Sequence, residues 1–270
     1  MAHILNRPVI DPVRNVVVKG YGIMQPRIAI RLQSSQASFF ADMFTDEVGV
    51  DPYTRSVSNV YQDIFHEGSF VGKGIYDVEV FEKVLSNRFP ENKILSHDLL
   101  ESAYVRSGLM GDVEVYESFP SSYQADAKRR HRWMRGDWQI INWLLPRVPL
   151  LQGSEKNPLS GLNKWKISDN LRRSMVSPLT LLFVLGFFIW FPSYIWIAFL
   201  LLILVTFLPF IFTFPLALLK KPKGITWSIH LQEVLQKSLH QIRQILFEQV
   251  LFPYDAYLCM DAMGRLSGDS

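Results

Sequence analysis

The sequence predicts an α/β domain followed by an α-helical hairpin that crosses a membrane. Within residues 1–150, segments with strand periodicity alternate with segments of helical spacing, which is typical of an α/β architecture. Two later runs, Met175–Phe191 and Tyr194–Leu219, contain no charged residue. Each run is near or above the roughly 20 residues that span a bilayer. A buried helical hairpin in a large soluble core is the alternative, but soluble cores rarely need such uninterrupted apolar runs.

The strands of the α/β domain are predicted from local alternation of apolar and polar residues. Residues 13–32 (VRNVVVKGYGIMQPRIAIRL) indicate two short strands around a bend that contains glycine. Residues 111–118 (GDVEVYES) alternate in the same way and predict a further strand.

Four segments of the same domain predict helices. Residues 96–109 begin with a serine cap and reach Gly108, which indicates a helix stop. Residues 76–89 carry apolar side chains at helical spacing. Residues 35–48 indicate a short helix, and residues 51–67 indicate a loop that enters another one.

Four regions therefore follow one another along the chain. Residues 1–150 form the α/β domain, residues 151–174 a basic juxtamembrane segment, and residues 175–219 the two transmembrane helices. Residues 220–270 contain an amphipathic helix (WSIHLQEVLQKSLHQIRQIL) and a C-terminal segment. We expect this helix to lie on the membrane or on the α/β domain.

Basic residues flank the two apolar runs on their outer sides. They are Lys164, Lys166, Arg172 and Arg173 before the first run, and Lys220, Lys221 and Lys223 after the second. The short loop between the runs has neither lysine nor arginine. The positive-inside rule therefore predicts that both ends of the hairpin are cytoplasmic.

Composition excludes several functional classes. A net charge of +3 is too small for a general polyanion binder, and no nucleic-acid-binding motif is present, so we expect no nucleic-acid partner. The single cysteine, Cys259, excludes an intramolecular disulfide and a thiolate metal cluster. The N-terminal residues lack the apolar region of a secretory signal peptide.

Asp98 is the first candidate for chemistry. It lies at or just inside the predicted start of a helix, where free backbone N–H groups favour a carboxylate. One interpretation is a helix cap, which is the usual role of an isolated aspartate in this position. The other is a general base, which needs a carboxylate within hydrogen-bond reach of a hydroxyl nucleophile.

A glycine-containing turn and a basic cluster are the next candidates. In the turn Phe70–Gly74, two glycines permit a close approach of backbone to a ligand, and Gln25 precedes a proline that also suits an ordinary turn. Residues 129–138 read RRHRWMRGDW, and a helix would place Arg129, Arg132 and Trp133 on one face. Such a face suits a diphosphate and a sugar ring, although a basic helix near a membrane has the same composition.

The order of these motifs carries more information than any one of them. A Gln-x-Pro-like segment, a Phe-x-Gly-x-Gly turn, an acidic motif, an Arg-Trp motif and paired spans resemble the C-terminal half of processive family-2-type glycosyltransferases. Cellulose and hyaluronan synthases share that order, with motifs FxGS/T, (T)ED and QxxRW. The closer resemblance is to the glycosyltransferase region of cyclic β-1,2-glucan synthases. It covers about residues 2–265, including LNRPVIDP, GYGIMQPR, DPYTRSVSNVYQDIFHEGSFVGKGIYDVEVF, RFPENKILSHDLLE and RRHRWMRGDWQIINWLLPRVP.

The resemblance implies a role for each matching residue. Asp98 takes the place of the catalytic base, while His97 stands where many relatives have glutamate, so the second acid of that motif is absent. Arg132 would face the nucleotide diphosphate and Trp133 the acceptor end of the glucan, with Arg129 in the place of glutamine. The acceptor site would be lined by Gln25, Phe70, Gly72 and Gly74.

The resemblance also implies a fold, a reaction and partners. The fold is the C-terminal half of a GT-A-like domain, and the reaction is inverting transfer of glucose from UDP-glucose to a growing β-1,2-glucan at the inner membrane. A divalent metal, Mg²⁺ or Mn²⁺, is expected, but its ligands belong upstream because no Asp-x-Asp occurs in this chain. We therefore expect a fragment that is inactive alone and that pairs with a missing N-terminal half. The alternatives are a related membrane glycosyltransferase of other sugar or linkage, and a non-catalytic membrane remnant.

Overall fold

The computed structural model describes residues 6–45, 60–90 and 93–265. The strands are β1 (Val9–Asp11), β2 (Val16–Lys19), β3 (Ile23–Ile30), β4 (Ile75–Tyr76), β5 (Ser107–Glu117), β6 (Arg147–Pro149) and β7 (Ser154–Lys156). The helices are α1 (Leu32–Ser35), α2 (Phe39–Thr45), α3 (Val60–Phe65), α4 (Val78–Leu85), α5 (Asp98–Val105), α6 (Tyr123–Gln139), α7 (Gly161–Trp190), α8 (Ile195–Leu219) and α9 (Trp227–Gly264). Two 3₁₀ turns, Ile141–Leu144 and Pro192–Tyr194, complete the described elements.

The predicted α/β class is confirmed. Each segment predicted as a strand or helix contains one, although parts of the segments 35–48 and 51–67 lie outside the described residues. One boundary was wrong. The helix of residues 96–109 ends at Val105, because Arg106 turns the chain with a φ of 60°, and Gly108 lies inside β5. Gly108 is needed there for packing, since a Cβ at this position would lie 2.8 Å from the ring of Tyr21.

The central sheet has the strand order β4-β3-β5. β3 pairs antiparallel with β4 and parallel with β5, so that Ile23 lies opposite Ser107. The register shifts between Pro26 and Arg27, where proline lacks the N–H that a regular ladder needs. The parallel pair places the start of β3 beside the end of α5.

A buried cluster of large side chains supports this sheet and α5. Leu100, Tyr104, Ile23 and Trp143 are almost fully buried, and the indole N–H of Trp143 donates to the Tyr104 hydroxyl over 3.1 Å. Arg88 is also buried, and its guanidinium lies 4.8 Å from the centre of the Tyr104 ring. Because α5 packs into this cluster through its buried face, its first turn is held in a fixed position.

The chain divides into two compact units. The first comprises the described parts of Met1–Ser174 and Asp261–Ser270, and the second comprises Met175–Met260. The first unit contains the sheet and every candidate residue named above. The predicted domain boundaries at residues 150, 174 and 219 stay predictions.

The two predicted apolar runs form long helices. α7 and the segment Pro192–Leu219 are long and apolar enough to cross a membrane, and few side chains of their most apolar stretches are buried. The basic segment predicted to precede the first span is mostly helical, because α7 already begins at Gly161. The segment predicted as an amphipathic helix is helical and lies within the longer α9, while its place on the membrane or on the α/β domain stays a prediction.

Candidate functional site

Gln25 joins β3 to the glycine-containing turn. Its side chain is completely buried in β3. Its Oε1 accepts a hydrogen bond from the Val71 N–H over 3.1 Å, and its Nε2 donates to the Pro26 carbonyl over 2.8 Å. A buried amide that is satisfied in this way holds the backbone of the turn at a fixed distance from the strand.

The turn Phe70–Gly74 touches the Asp98 carboxylate. Gly72 has a φ of +78°, and a Cβ at this position would lie 2.9 Å from Asp98 Oδ2. Gly74 makes a still closer approach to β3, where a Cβ would lie 2.5 Å from the Met24 carbonyl oxygen. Both glycines are therefore required, one by the carboxylate and the other by β3.

Asp98 is the first residue of α5. The cap position belongs to His97, whose side chain makes no capping hydrogen bond. Burial raises the pKa of the Asp98 carboxyl, against the positive charges of His97 and Lys73 and the hydrogen bond from Ser96, which lower it. A carboxyl whose pKa is raised in this way is a better proton acceptor than an ordinary aspartate once it is ionised.

Glu101 is a second carboxyl that the sequence reasoning missed. It follows Asp98 by three positions, which in a helix places the two side chains on neighbouring parts of one face. Burial, with a smaller contribution from the Asp98 charge, raises the pKa of Glu101 to about 7. The D-x-x-E spacing of Asp98 and Glu101 is a visible signal in the sequence, whereas the family motif points to position 97, which is histidine here.

Lys73 is a further charged residue that the sequence reasoning missed. It lies between the two glycines of the turn, and its ammonium group forms an ion pair with Glu117 at the end of β5. The positive charge of Lys73 also makes the smallest of several contributions that lower the pKa of the Asp98 carboxyl. No local pattern announces this arrangement, because Glu117 is distant in sequence.

The basic-aromatic cluster lies in α6. Ser122 caps the helix by accepting a hydrogen bond from the Ala125 N–H. The Arg129 guanidinium pairs with Asp126 over 2.8 Å and lies 4.9 Å from the centre of the Trp133 ring, so the predicted shared face of these two residues is confirmed. Arg132 is exposed, and within the described part of the chain its guanidinium makes no hydrogen bond or ion pair.

Helix α6 packs against the residues that precede Asp98. Gly136 allows this contact, since a Cβ there would lie 3.0 Å from the Cβ of Ser96. The Gln139 side chain accepts a hydrogen bond from the Leu95 N–H over 2.8 Å. The glycine in RRHRWMRGDW therefore has a packing role that the sequence reasoning did not assign.

The structure thus brings the predicted residues together in two groups. Gln25, Phe70, Gly72, Gly74 and Asp98 form one contiguous group. Arg129 and Trp133 form a second group with the neighbouring Arg132, and α6 links it to the first group through the residues before Asp98. Among the described residues, Asp98 itself makes no hydrogen bond or ion pair with an α6 side chain, so the link runs through Leu95 and Ser96.

A metal site is a separate question. Among the residues that the structure describes, no group of three or more His, Cys, Asp or Glu side chains is arranged to hold a metal ion. The described side chains alone therefore do not fit the divalent metal that the resemblance implies, and that metal stays a prediction.

Comparison with known proteins tests the resemblance predicted from the motifs. No family model matches the chain. Over 265 residues, it is 39% identical to the cyclic beta-(1,2)-glucan synthase NdvB of Rhizobium meliloti (strain 1021). The chain is homologous to one segment of that synthase. The match covers 97% of the chain but only 9% of the relative's length. The resemblance predicted from the motifs is confirmed.

Proposed function

We propose that the chain is the acceptor-side portion of a membrane-bound glycosyltransferase, with Asp98 as its general base. The observation that carries the proposal is the close approach of Gly72, in the turn Phe70–Gly74, to the half-buried Asp98 carboxylate, since it leaves backbone without a side chain beside that carboxylate. Homology to a cyclic beta-(1,2)-glucan synthase supports a glucan acceptor and a sugar donor. We propose UDP-glucose as the donor and a growing β-1,2-glucan as the acceptor.

The proposed reaction needs one base on the acceptor side. Asp98 accepts the proton of a glucan hydroxyl while that oxygen attacks the anomeric carbon of the donor. The new carbon–oxygen bond forms as the bond from the anomeric carbon to the diphosphate oxygen breaks, and UDP leaves with the electron pair. Attack from the face opposite the leaving group inverts the configuration at that carbon.

Two further groups of residues have roles in this proposal. Gln25 fixes the turn, and the turn positions the acceptor hydroxyl against Asp98. Arg132, exposed on α6, contacts the diphosphate and stabilises the charge that develops on it. Trp133, which is 36% exposed, offers a ring face to the acceptor end of the glucan. Arg129 holds Trp133 in place through their stacked contact.

A divalent metal would supply further stabilisation of the departing diphosphate when bound. Its ligands belong to a portion of the enzyme upstream of this chain in the proposal, together with the uridine pocket. The steps above use only residues of this chain, so they can be tested without identifying those ligands.

The proposed location is the inner membrane. Two helices with the length and composition of membrane spans support it, together with homology to a segment of a glucan synthase. We propose that both flanks of the hairpin are cytoplasmic, because basic residues occur on both outer sides and none in the loop.

The test requires a complete enzyme. We suggest a chimaeric synthase in which this chain replaces the matching segment of the Rhizobium meliloti relative. Asp98→Asn keeps the size of the side chain and removes the basic carboxylate, so glucan synthesis should fall by about 10²–10⁴-fold with UDP binding little changed. Arg132→Ala should weaken both synthesis and UDP binding, because it removes a contact to the diphosphate.

The exposed Asp112 provides a matched control. Asp112→Asn makes the same chemical change away from the turn and should leave synthesis near that of the unaltered chimaera. Near-normal synthesis by the Asp98→Asn variant would overturn the assignment and leave Asp98 as a residue of the helix start.

A further inference from the structure

One lysine of α7 is buried against the residues that lead into the glycine-containing turn. The Lys166 side chain is only 5% exposed. Its ammonium group donates to Glu67 Oε1 over 3.0 Å and to the Gly68 carbonyl oxygen over 3.1 Å. The same group lies 5.2 Å from the centre of the Tyr61 ring. Three partners from one short stretch of chain therefore surround a charge that is almost shielded from solvent.

The bond to Gly68 explains this lysine better than stability does. Burial lowers the pKa of the Lys166 ammonium group, while the charge and hydrogen bond of Glu67 raise it, so Glu67 helps to keep the lysine charged. Two apolar side chains of similar volume often stabilise a protein as well as a buried ion pair does. They cannot donate a hydrogen bond to a carbonyl oxygen. Lys166 therefore supplies a fixed donor for the backbone at Gly68.

The backbone that leads into the turn is held at three points. The first is the Gly68 carbonyl, which accepts from Lys166. The second is the Gly68 N–H, which donates to the Ser107 carbonyl at the start of β5 over 2.7 Å. The third is the Val71 N–H, which donates to the buried Gln25 side chain. Because a single residue separates Gly68 from Phe70, a shift of the Gly68 carbonyl moves the start of the turn.

The face of α7 that carries Lys166 also binds the other elements of the candidate site. Asn163 and Asn170 share this face, since they lie three positions before and four positions after the lysine. The Asn163 side chain donates to the Ala103 carbonyl of α5 over 3.3 Å. The Asn170 side chain donates to the Asp137 carboxylate of α6 over 3.0 Å. One helix face thus contacts α5, α6 and the residues before the turn.

We propose that Lys166 is a positioning residue for the acceptor: its ammonium group holds the Gly68 carbonyl, and through it the turn Phe70–Gly74, where a glucan hydroxyl can meet Asp98. The inference rests on the proposed function, in which the turn positions that hydroxyl against the base. Lys166 acts through the backbone and does not itself touch the reacting atoms. Glu67 keeps the ammonium group in place.

A double variant separates positioning from stability. In Lys166→Met/Glu67→Met, two apolar side chains replace the buried ion pair, so the melting temperature should stay near that of the unaltered chain. Synthesis should nevertheless fall by about 10–10²-fold, because the Gly68 carbonyl loses its donor and a displacement of about 1 Å can cost about 10²-fold. Thermal unfolding is measured on the whole chain in detergent, and synthesis in the chimaeric synthase.

Glu67→Gln should give the opposite pair of results. Its amide oxygen can still accept from Lys166, which keeps its own bond to the Gly68 carbonyl. The melting temperature should fall, because the buried ammonium group loses its counter-charge. Synthesis per folded enzyme should stay near that of the unaltered chimaera. Lys164→Met is the control, since it removes a half-exposed lysine from the same helix and should change neither quantity.

The affinity for UDP provides the further readout. It should be unchanged in the double variant, because the bond to Gly68 acts on the acceptor side. Normal synthesis by the double variant overturns the inference, and so does a loss of UDP affinity together with synthesis. A double variant whose melting temperature falls as in Glu67→Gln overturns it too, since the pair would then serve stability.

The Asp98→Asn variant distinguishes this inference from the proposed function. If Asp98→Asn retains synthesis, the proposed function fails and the inference fails with it. If Asp98→Asn loses synthesis while Lys166→Met/Glu67→Met retains it, the proposed function stands and only the role of Lys166 is wrong.

Discussion

Gly72 leaves no room for a side chain beside the candidate base, and its replacement gives a sharp prediction at the residue scale. Gly72→Ala should reduce glucan synthesis by the chimaera, because the new Cβ would lie 2.9 Å from Asp98 Oδ2 and must displace that carboxylate or the turn. The positive φ adds a backbone cost of about 1–3 kcal/mol. The measurement is synthesis and thermal unfolding of the same preparation.

Gly153 separates the two effects of that substitution. It also has a positive φ, +84°, but a Cβ there would meet nothing within 4 Å. Gly153→Ala should therefore lose stability through the same backbone strain while its synthesis stays near that of the unaltered chimaera. Equal losses of synthesis in the two variants would show that the contact with Asp98 is unimportant.

Glu101 gives a prediction about pH. Burial raises its pKa from an ordinary 4.5 to about 7, so in this interval the folded chain binds a proton that the unfolded chain has lost. The stability from this group is present below its ordinary pKa and is lost as pH rises through about 7. Glu101→Gln should therefore show a smaller decrease in melting temperature between acidic and mildly alkaline buffer, measured in detergent.

The exposed Glu79 is the control for this experiment. Glu79→Gln removes a carboxylate from the first turn of α4 and should reproduce the pH dependence of the unaltered chain. A Glu101→Gln variant with an unchanged decrease would contradict the burial of that carboxyl in the folded chain.

The resemblance pointed to Asp98, Gln25 and the turn Phe70–Gly74 through the order of several motifs, and the structure places these residues next to one another. Their roles stay predictions. Lys73 and Glu101 were missed because their importance depends on burial and on distant partners such as Glu117. Electrostatic neighbours of this kind become visible only when the fold brings separate segments together.

At the scale of elements, α6 depends on its cap. The Ser122 hydroxyl accepts a hydrogen bond from the Ala125 N–H at the start of this helix. Ser122→Ala should destabilise the first unit by about 1 kcal/mol, because the free N–H groups of the first turn lose a partner. Thermal unfolding in detergent measures this, with the adjacent Ser121→Ala as the matched control. Equal effects of the two substitutions would show that the cap contributes nothing specific.

Helical elements were predicted more accurately than the limits of the sheet. Apolar spacing located α4 and α5, and the absence of charge located the two long apolar helices. The predicted helix extends to Gly108, but β5 already begins at Ser107. Gly108 does not end a helix there; its lack of a side chain makes room for the Tyr21 ring. A glycine required by tertiary packing has the same local pattern as a glycine that ends a helix.

At the scale of the whole molecule, the second unit determines where the chain resides. Its apolar side chains remain largely exposed, including Trp190 at 73% and Leu219 at 78%. The chain should therefore partition into the membrane fraction and resist extraction by high salt or alkali, because burial in lipid favours such surfaces. Centrifugation and blotting of the extracted fractions measure this. A monodisperse full-length chain in detergent-free buffer would contradict the membrane assignment.

The parallel pairing of β3 with β5 also has a consequence for the time course of folding. Ile23 lies opposite Ser107, and both the turn and Asp98 belong to the chain between these partners. Closing a loop of this length costs conformational entropy before the strand pairing contributes any stabilisation. Contacts between residues so far apart in sequence are therefore slow to form. During synthesis on the ribosome, Gln25 emerges long before the strand that completes its sheet. Asp98 and its turn therefore assemble late, only after β5 has left the exit tunnel, and a nascent chain halted before Ser107 should lack the candidate site altogether.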